Sequence, residues 1–367
     1  MPRNGLNGDS ARLIASSFAF GTGWLGLSFT FPLIAERLGF SYTFIGIIGL
    51  ASSVPFPVVA YIYRKAGSRL MRAGVSVPLA ILLAMAVALF FGYRSYFLPI
   101  AIIASFFQAP WWISSEISLG SLQGSRNAEK YSIAWGIPNA TSPAIMGVII
   151  DIYGFKYVFL IAAAAFAISM ATTPRMKYKE ETASRESPRL TYIFPLFYAG
   201  IFSGFLYFVV EPLLKTAGFP YYIIGGVTAT YGAVVAAGFI VLNFVPDLKI
   251  WQYGAISSLL LFPSLFLAFK VTLPIIVAVS AISGMGVSIS MSKVLAYISK
   301  TSDTKTGVFY YESTFGFGFI VGSLGEDVLF QYYGIWTLIP LFIMPLAYGI
   351  YLILRELSLN SRLPSNF

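Results

Sequence analysis

The sequence predicts an all-α integral membrane protein with twelve transmembrane helices in two pseudo-symmetric six-helix bundles. Three observations predict this. Hydrophobic residues make up 57% of the 367 positions and charged residues only 11%, against about 25% charged in ordinary soluble domains. A soluble chain of this length has too little interior for that apolar excess. Apolar runs long enough to span about 30 Å of hydrocarbon as helices recur along the chain, and basic residues crowd into alternate connections between them.

The expected spans in the first half are 13–34, 41–62, 73–93, 97–120, 131–152 and 155–173. Those in the second half are 191–214, 221–244, 251–270, 272–297, 307–329 and 335–355. Glycine and proline within them are tolerated, because neighbouring helices satisfy freed backbone groups. The polar start, Met1 to Arg12, runs directly into the first span with no small-residue cleavage site, so no cleavable signal is expected.

Charge sets the orientation. With both termini cytoplasmic, one side holds Arg3, Arg12, Arg64, Lys65, Arg69, Arg72, Arg126, Lys130, Arg175, Lys177, Lys179, Arg185, Arg189, Lys249, Lys300, Lys305, Arg355 and Arg362. The other holds only Arg37, Arg94, Lys156, Lys215 and Lys270. That 18-to-5 asymmetry follows the positive-inside rule, and an odd number of spans would scramble it. The basic residues are scattered and form no patch with interleaved aromatics, so nucleic acid is not an expected partner.

Between the halves, Pro174 to Arg189 is polar, charged and bracketed by prolines, as expected of a cytoplasmic connector. The domains are therefore 1–173, a linker at 174–190, and 191–367. The halves also look alike. Pro32-Leu33, Gly39-Phe40, Tyr42 and Ile45-Gly46 recur as Pro212-Leu213, Gly218-Phe219, Tyr221 and Ile224-Gly225, and Tyr153-Gly154 recurs as Tyr333-Gly334. Two matches at one offset favour a duplicated unit.

These features resemble the major facilitator superfamily over essentially the whole chain. Gly21-Thr22-Gly23-Trp24 through Phe31-Pro32-Leu33 to Gly39-Phe40-Ser41 is similar to that family's first helix and loop. Pro143, Gly147, Asp151, Gly154 and Phe155 are similar to its fifth helix and following turn, and Gly316, Gly318, Gly322 and Gly325 to the small-residue face of its eleventh. The loop between spans two and three departs from the family's G-x-x-x-D-R-x-G-R-R/K. Ala60 replaces the first glycine, Arg64 the aspartate and Ser68 an arginine, while Gly67 is kept. The family's acidic latch is thus missing at that position, with Asp247 a candidate substitute. The fifth-helix exchanger pattern survives only as Ser142, Pro143 and Gly147.

The resemblance implies a secondary transporter working by alternating access, with spans one, four, seven and ten lining a central path. Three deep carboxylates and many aromatics against a single deep cation, Lys293, point to a small neutral or cationic solute, with protons as a coupling ion. Charges inside spans cost about 2.5–3.5 kcal/mol each on insertion scales, and four stand out: Glu116, Glu211, Lys293 and Glu312. Glu116 and Lys293 occupy near-equivalent places in the two halves, which suggests an inner gate pair; the competing reading is that each snorkels to the interface. Glu312 is the first candidate for proton coupling, since a carboxyl group shielded from water can exchange a proton near neutral pH. Its bland alternative is a structural salt bridge to Lys293. Glu211, beside Pro212, is the second.

Trp24, Gln108, Trp111, Trp112, Asn139, Tyr207, Tyr231 and Tyr311, with Tyr198, are candidate solute contacts, because aromatic faces hold rings and cations. Most such side chains in membrane helices only pack or anchor.

No cofactor or metal is expected. The chain has no cysteine and no histidine, which excludes disulfides, thiolate metal sites and histidine relays. It has no phosphate-binding G-x-x-x-x-G-K-S/T loop either, which leaves ATP-driven transport without a site. A monomer in the cell membrane is expected, with lipid and a small solute as partners. An enzyme is not. The rivals are a transporter-like receptor or sensor, and an enzyme acting on a lipid-borne substrate. Glu326-Asp327, read as a short outer loop, is the only adjacent acidic pair near a span.

Overall fold

The computed structural model describes residues 8–65, 68–121, 127–174, 187–242, 244–245 and 248–361. Most of the expected connector, residues 175–186, lies outside the described residues. So do Gly67, Asp247 and the basic positions Arg3, Arg126, Arg175, Lys177, Lys179, Arg185 and Arg362.

Helix α1 is Gly8–Arg37, α2 Tyr42–Ser53, α3 Pro55–Lys65, α4 Ser68–Ser121, α5 Asn127–Tyr153 and α6 Phe155–Thr172. The second half has α7 (Leu190–Ile193), α8 (Pro195–Phe205), a π turn at Leu206–Val210, α9 (Glu211–Thr216), α10 (Tyr221–Val241) and α11 (Ile250–Leu261). It continues through a 3₁₀ turn at Phe262–Ala268, α12 (Leu273–Thr301), α13 (Thr304–Ile320) and a second π turn at Val321–Gly325. The last elements are α14 (Glu326–Tyr333), a 3₁₀ turn at Gly334–Thr337 and α15 (Leu338–Ser361).

The chain is an all-α, multi-pass membrane protein, but the expected twelve helices in two six-helix bundles are corrected. Among the described residues, ten helical stretches are long and apolar enough to cross a bilayer. The expected spans 73–93 and 97–120 run together in Leu70–Ser118, and 307–329 and 335–355 in Thr304–Ser358. Within the first of these, Gly92 (φ −150°, ψ 37°) leaves helical geometry. The chain turns back there, bringing Ser114 Oγ within 3.1 Å of the Met71 carbonyl oxygen, to which it donates. In the second, Gly334 (φ 60°) leaves helical geometry at the end of α14. Nor do the halves separate cleanly. One contiguous buried cluster runs from Leu13 to Phe342, and α5 packs along α10, as α3 does along α13.

Glycine makes the α5–α10 seam possible. A methyl group on Gly225 would strike the Pro143 carbonyl oxygen, and one on Gly232 that of Asn139. The two backbones therefore touch directly, as small residues allow in membranes. Asp151 fixes the end of the same seam. Its carboxylate accepts from the backbone N–H groups of Tyr222 (2.7 Å) and Tyr221 (3.3 Å), two of the donors that the first turn of α10 leaves free.

The repeat seen in the sequence reappears in backbone geometry. The positive-φ residues among those described are Gly39, Gly154, Gly218 and Gly334, the two matched pairs. After α1, Gly39 N–H donates to Glu36 O and Phe40 N–H to Ala35 O; after α9, Gly218 donates to Lys215 O and Phe219 to Leu214 O. Both are Schellman terminations with glycine in the left-handed position.

Candidate functional site

The first cluster forms where α4 meets α13. Asp303 caps α13 by accepting from the Thr306 N–H at 2.9 Å, which places Tyr311 and Glu312 just over two turns in. Both are buried, at 5% exposure. The Glu312 carboxyl group lies beside that of Glu116 on α4, with Tyr311 next to them. Two carboxylates side by side repel each other. Oε2 of Glu116 is buried without a partner.

Lys293 does not pair with either acid in this conformation. Its ammonium donates to the Leu242 carbonyl at 3.1 Å and sits 4.7 Å from the Tyr253 ring centroid. Leu242 closes α10, so Lys293 meets one of the carbonyls a helix end leaves open, where a cation also suits the helix dipole. Neither the expected Glu116–Lys293 gate nor a Lys293–Glu312 bridge is formed here. Arg64, which stands where the family has its aspartate, lies 5.5 Å from the Phe309 ring centroid on α13.

The second cluster surrounds the π turn at Leu206–Val210. Pro212 cannot donate a backbone hydrogen bond to the turn before it, and a π turn precedes it; such turns recur at functional sites. Tyr207 donates to Asn139 Oδ1 on α5 at 2.7 Å. Tyr231 OH and Ser203 Oγ lie 2.8 Å apart. Glu211 is 1% exposed. Its Oε1 accepts from Thr228 at 2.7 Å, and its Oε2 has no partner.

Of the remaining candidates, Trp24, Gln108, Trp111 and Trp112 lie in the first half and Tyr198 in the second. Trp111 stacks on Phe20 with centroids 3.9 Å apart and planes 5° apart. Trp112 stands edge-on to both, and Trp24 meets Phe31 edge-on. Gln108 donates to the Ser52 carbonyl at 2.8 Å. The Gln108 Oε1 and Trp111 Nε1 atoms are buried without partners, which marks them as polar groups with bonding capacity left over. Tyr198 packs among Phe194, Phe197 and Tyr348.

The sequence reading placed Glu326 and Asp327 in a loop. They open α14 instead and are 1% and 0% exposed. The available signal was Gly46 on α2, where an added methyl would sit 2.9 Å from Asp327 Cβ. The serine and threonine partners of Tyr231 and Glu211 carried no such signal.

No protein-family model matches the chain, and no curated protein matches it either. Solved structures do. The human organic anion transporter MFSD10 (TETRAN) superposes with a TM-score of 0.66 at 13% identity, covering 93% of this chain and 99% of that one. A variant of the nucleoside transporter NupG gives 0.66 at 14% identity, covering 95% and 99%. The chain therefore has the fold of these transporters, the major facilitator fold that the sequence resembles.

Proposed function

We propose that this chain is a secondary transporter that moves a small neutral or cationic solute across the cell membrane by alternating access, coupled to protons. The likeness in fold to two solute transporters over more than nine-tenths of the chain carries the reading. The halves 1–173 and 191–367, joined through 174–190, shift against each other around a site near the membrane midplane. Both termini face the cytoplasm, in keeping with the asymmetry of Lys and Arg in the connections.

Glu312, in contact with Glu116, is the proton-carrying group. Asn139, Tyr207 and Tyr231 present polar tips along the route; Trp24, Gln108, Trp111, Trp112 and Tyr311 supply ring faces and hydrogen bonds. Lys293, engaged with the end of α10, leaves no deep cation facing the described acids, which favours a neutral or cationic solute over an anion. Glu211 is a further ionisable group on this route.

The test is a thermal-shift screen of the purified protein against sugars, nucleosides, amino acids and organic ions at two pH values, since a ligand of the folded state raises apparent stability. Hits are then measured for flux in proteoliposomes with and without a pH gradient. Flux that follows the gradient supports the proposal. Binding without flux would turn the reading toward a sensor.

A further inference from the structure

We infer that Asp327 is a second proton-binding site, at the opposite end of the fold from Glu116 and Glu312. The chain places it there: α13 starts at the end where α3 and α4 meet, and α14 follows its second π turn at the other. That turn packs under α2. A methyl on Gly49 would meet Ser323 Cβ at 2.5 Å, and one on Gly46 would meet Asp327 Oδ2 at 3.0 Å. The two glycines thus form a notch that receives the π turn and the acid after it.

The chemistry inside the notch is incomplete. Both carboxyl oxygens of Asp327 and Oε1 of Glu326 are buried with no hydrogen-bond partner. Only Glu326 Oε2 is served, by Thr337 Oγ1 at 2.8 Å. Among the described residues, the elements that pack most closely on α14 bring no cation: α2, both π turns and the 3₁₀ turn at Gly334–Thr337 contain no Lys or Arg. The titratable groups facing it are Glu326 on its own helix and Tyr42 on α2. Two adjacent acids enclosed without a counter-charge are held at great cost if both are ionised. A proton is the smallest ligand that completes the site, and no group of three or more acids able to hold a metal ion occurs among the described residues. Release requires α2 and α14 to part.

The inference goes beyond the transport reading, and its test needs no solute. Infrared difference spectra of the purified protein in lipid bilayers, neutral against strongly alkaline, read the C=O stretch of protonated carboxyl groups. The wild type should show a band of which Asp327→Asn lacks one component. Glu312→Gln should keep that component, and exchanging choline chloride for sodium chloride should leave it in place. Full intensity in Asp327→Asn, or loss of the component in sodium, would overturn the site and in the second case replace the proton by a metal cation. Should Asp327→Asn fail to fold, wild-type protein treated with a small apolar carbodiimide and mapped by mass spectrometry decides. Labelling at Asp327 that falls in alkaline buffer supports the site; no labelling there, or labelling abolished by sodium, overturns it.

Discussion

The Tyr207 hydroxyl donates a 2.7 Å hydrogen bond to Asn139 Oδ1, tying the π turn of the second half to α5 of the first. Both side chains are buried. Removing the donor leaves the amide oxygen unserved, a cost of about 1–3 kcal/mol. Tyr207→Phe should lower the denaturation midpoint of the purified protein accordingly. A double-mutant cycle with Asn139→Ala should return a coupling within about 0.5–3 kcal/mol; additive losses would show that the bond joins nothing.

Neighbouring glycines on α10 should respond in opposite ways. Gly225 rests on the Pro143 carbonyl, whereas Gly226 has open space around it. Gly225→Ala should destabilise by about 1–3 kcal/mol through overpacking. Gly226→Ala should be neutral or stabilise by up to about 1 kcal/mol, since alanine favours helix. Thermal denaturation of the two variants side by side checks this.

Gly39 and Gly218 close matching helix ends at φ 79° and 86°. Replacing either with alanine should cost about 1–2 kcal/mol, the penalty for a left-handed L-residue. The two losses should be equal within error if the turns are copies. A large inequality would argue that only their sequences match.

Asp151→Ala should remove the acceptor for the first N–H groups of α10 and cost about 0.5–2 kcal/mol. Asp151→Asn keeps one acceptor oxygen while losing the other and the charge at the helix start, and should cost less than the alanine variant. The ordering of the two midpoints is the readout.

For transport, Glu312→Gln fixes a neutral side chain opposite Glu116. Solute uptake into proteoliposomes should then no longer follow an imposed pH gradient, while exchange of solute for solute continues. Lys293→Met should leave the gradient response intact and weaken the α10 terminus by about 0.3–1 kcal/mol. Persistent gradient dependence in Glu312→Gln would remove that residue from the coupling role.

The sequence disclosed what single residue types must do. A left-handed turn demands glycine, so Gly39, Gly154, Gly218 and Gly334 marked their junctions in the letters alone. Helix count was less legible. Whether 70–118 reads as one helical stretch or two depends on the backbone angles of Gly92, which apolar composition does not encode. Partner choice was less legible again. The offset between halves sets Glu116 and Lys293 at similar depth, but each residue turns a helix by about 100°, and that rotation gave Glu116 to Glu312 and Lys293 to the α10 end. Glu326 and Asp327 were misplaced for a related reason: short acidic pairs usually sit in water, and only the notch at Gly46 explains their enclosure.

Where Gly225 and Gly232 meet α5, main chain rests on main chain with no rotatable group between them. Sliding or rolling along such a line disturbs no rotamers, whereas opening it would strip the carbonyls of Pro143 and Asn139 of their close Cα–H neighbours. The α5–α10 contact is thus suited to act as a fulcrum. Displacement accumulates away from it, and the widest excursions fall on helices that carry side chains into their interfaces.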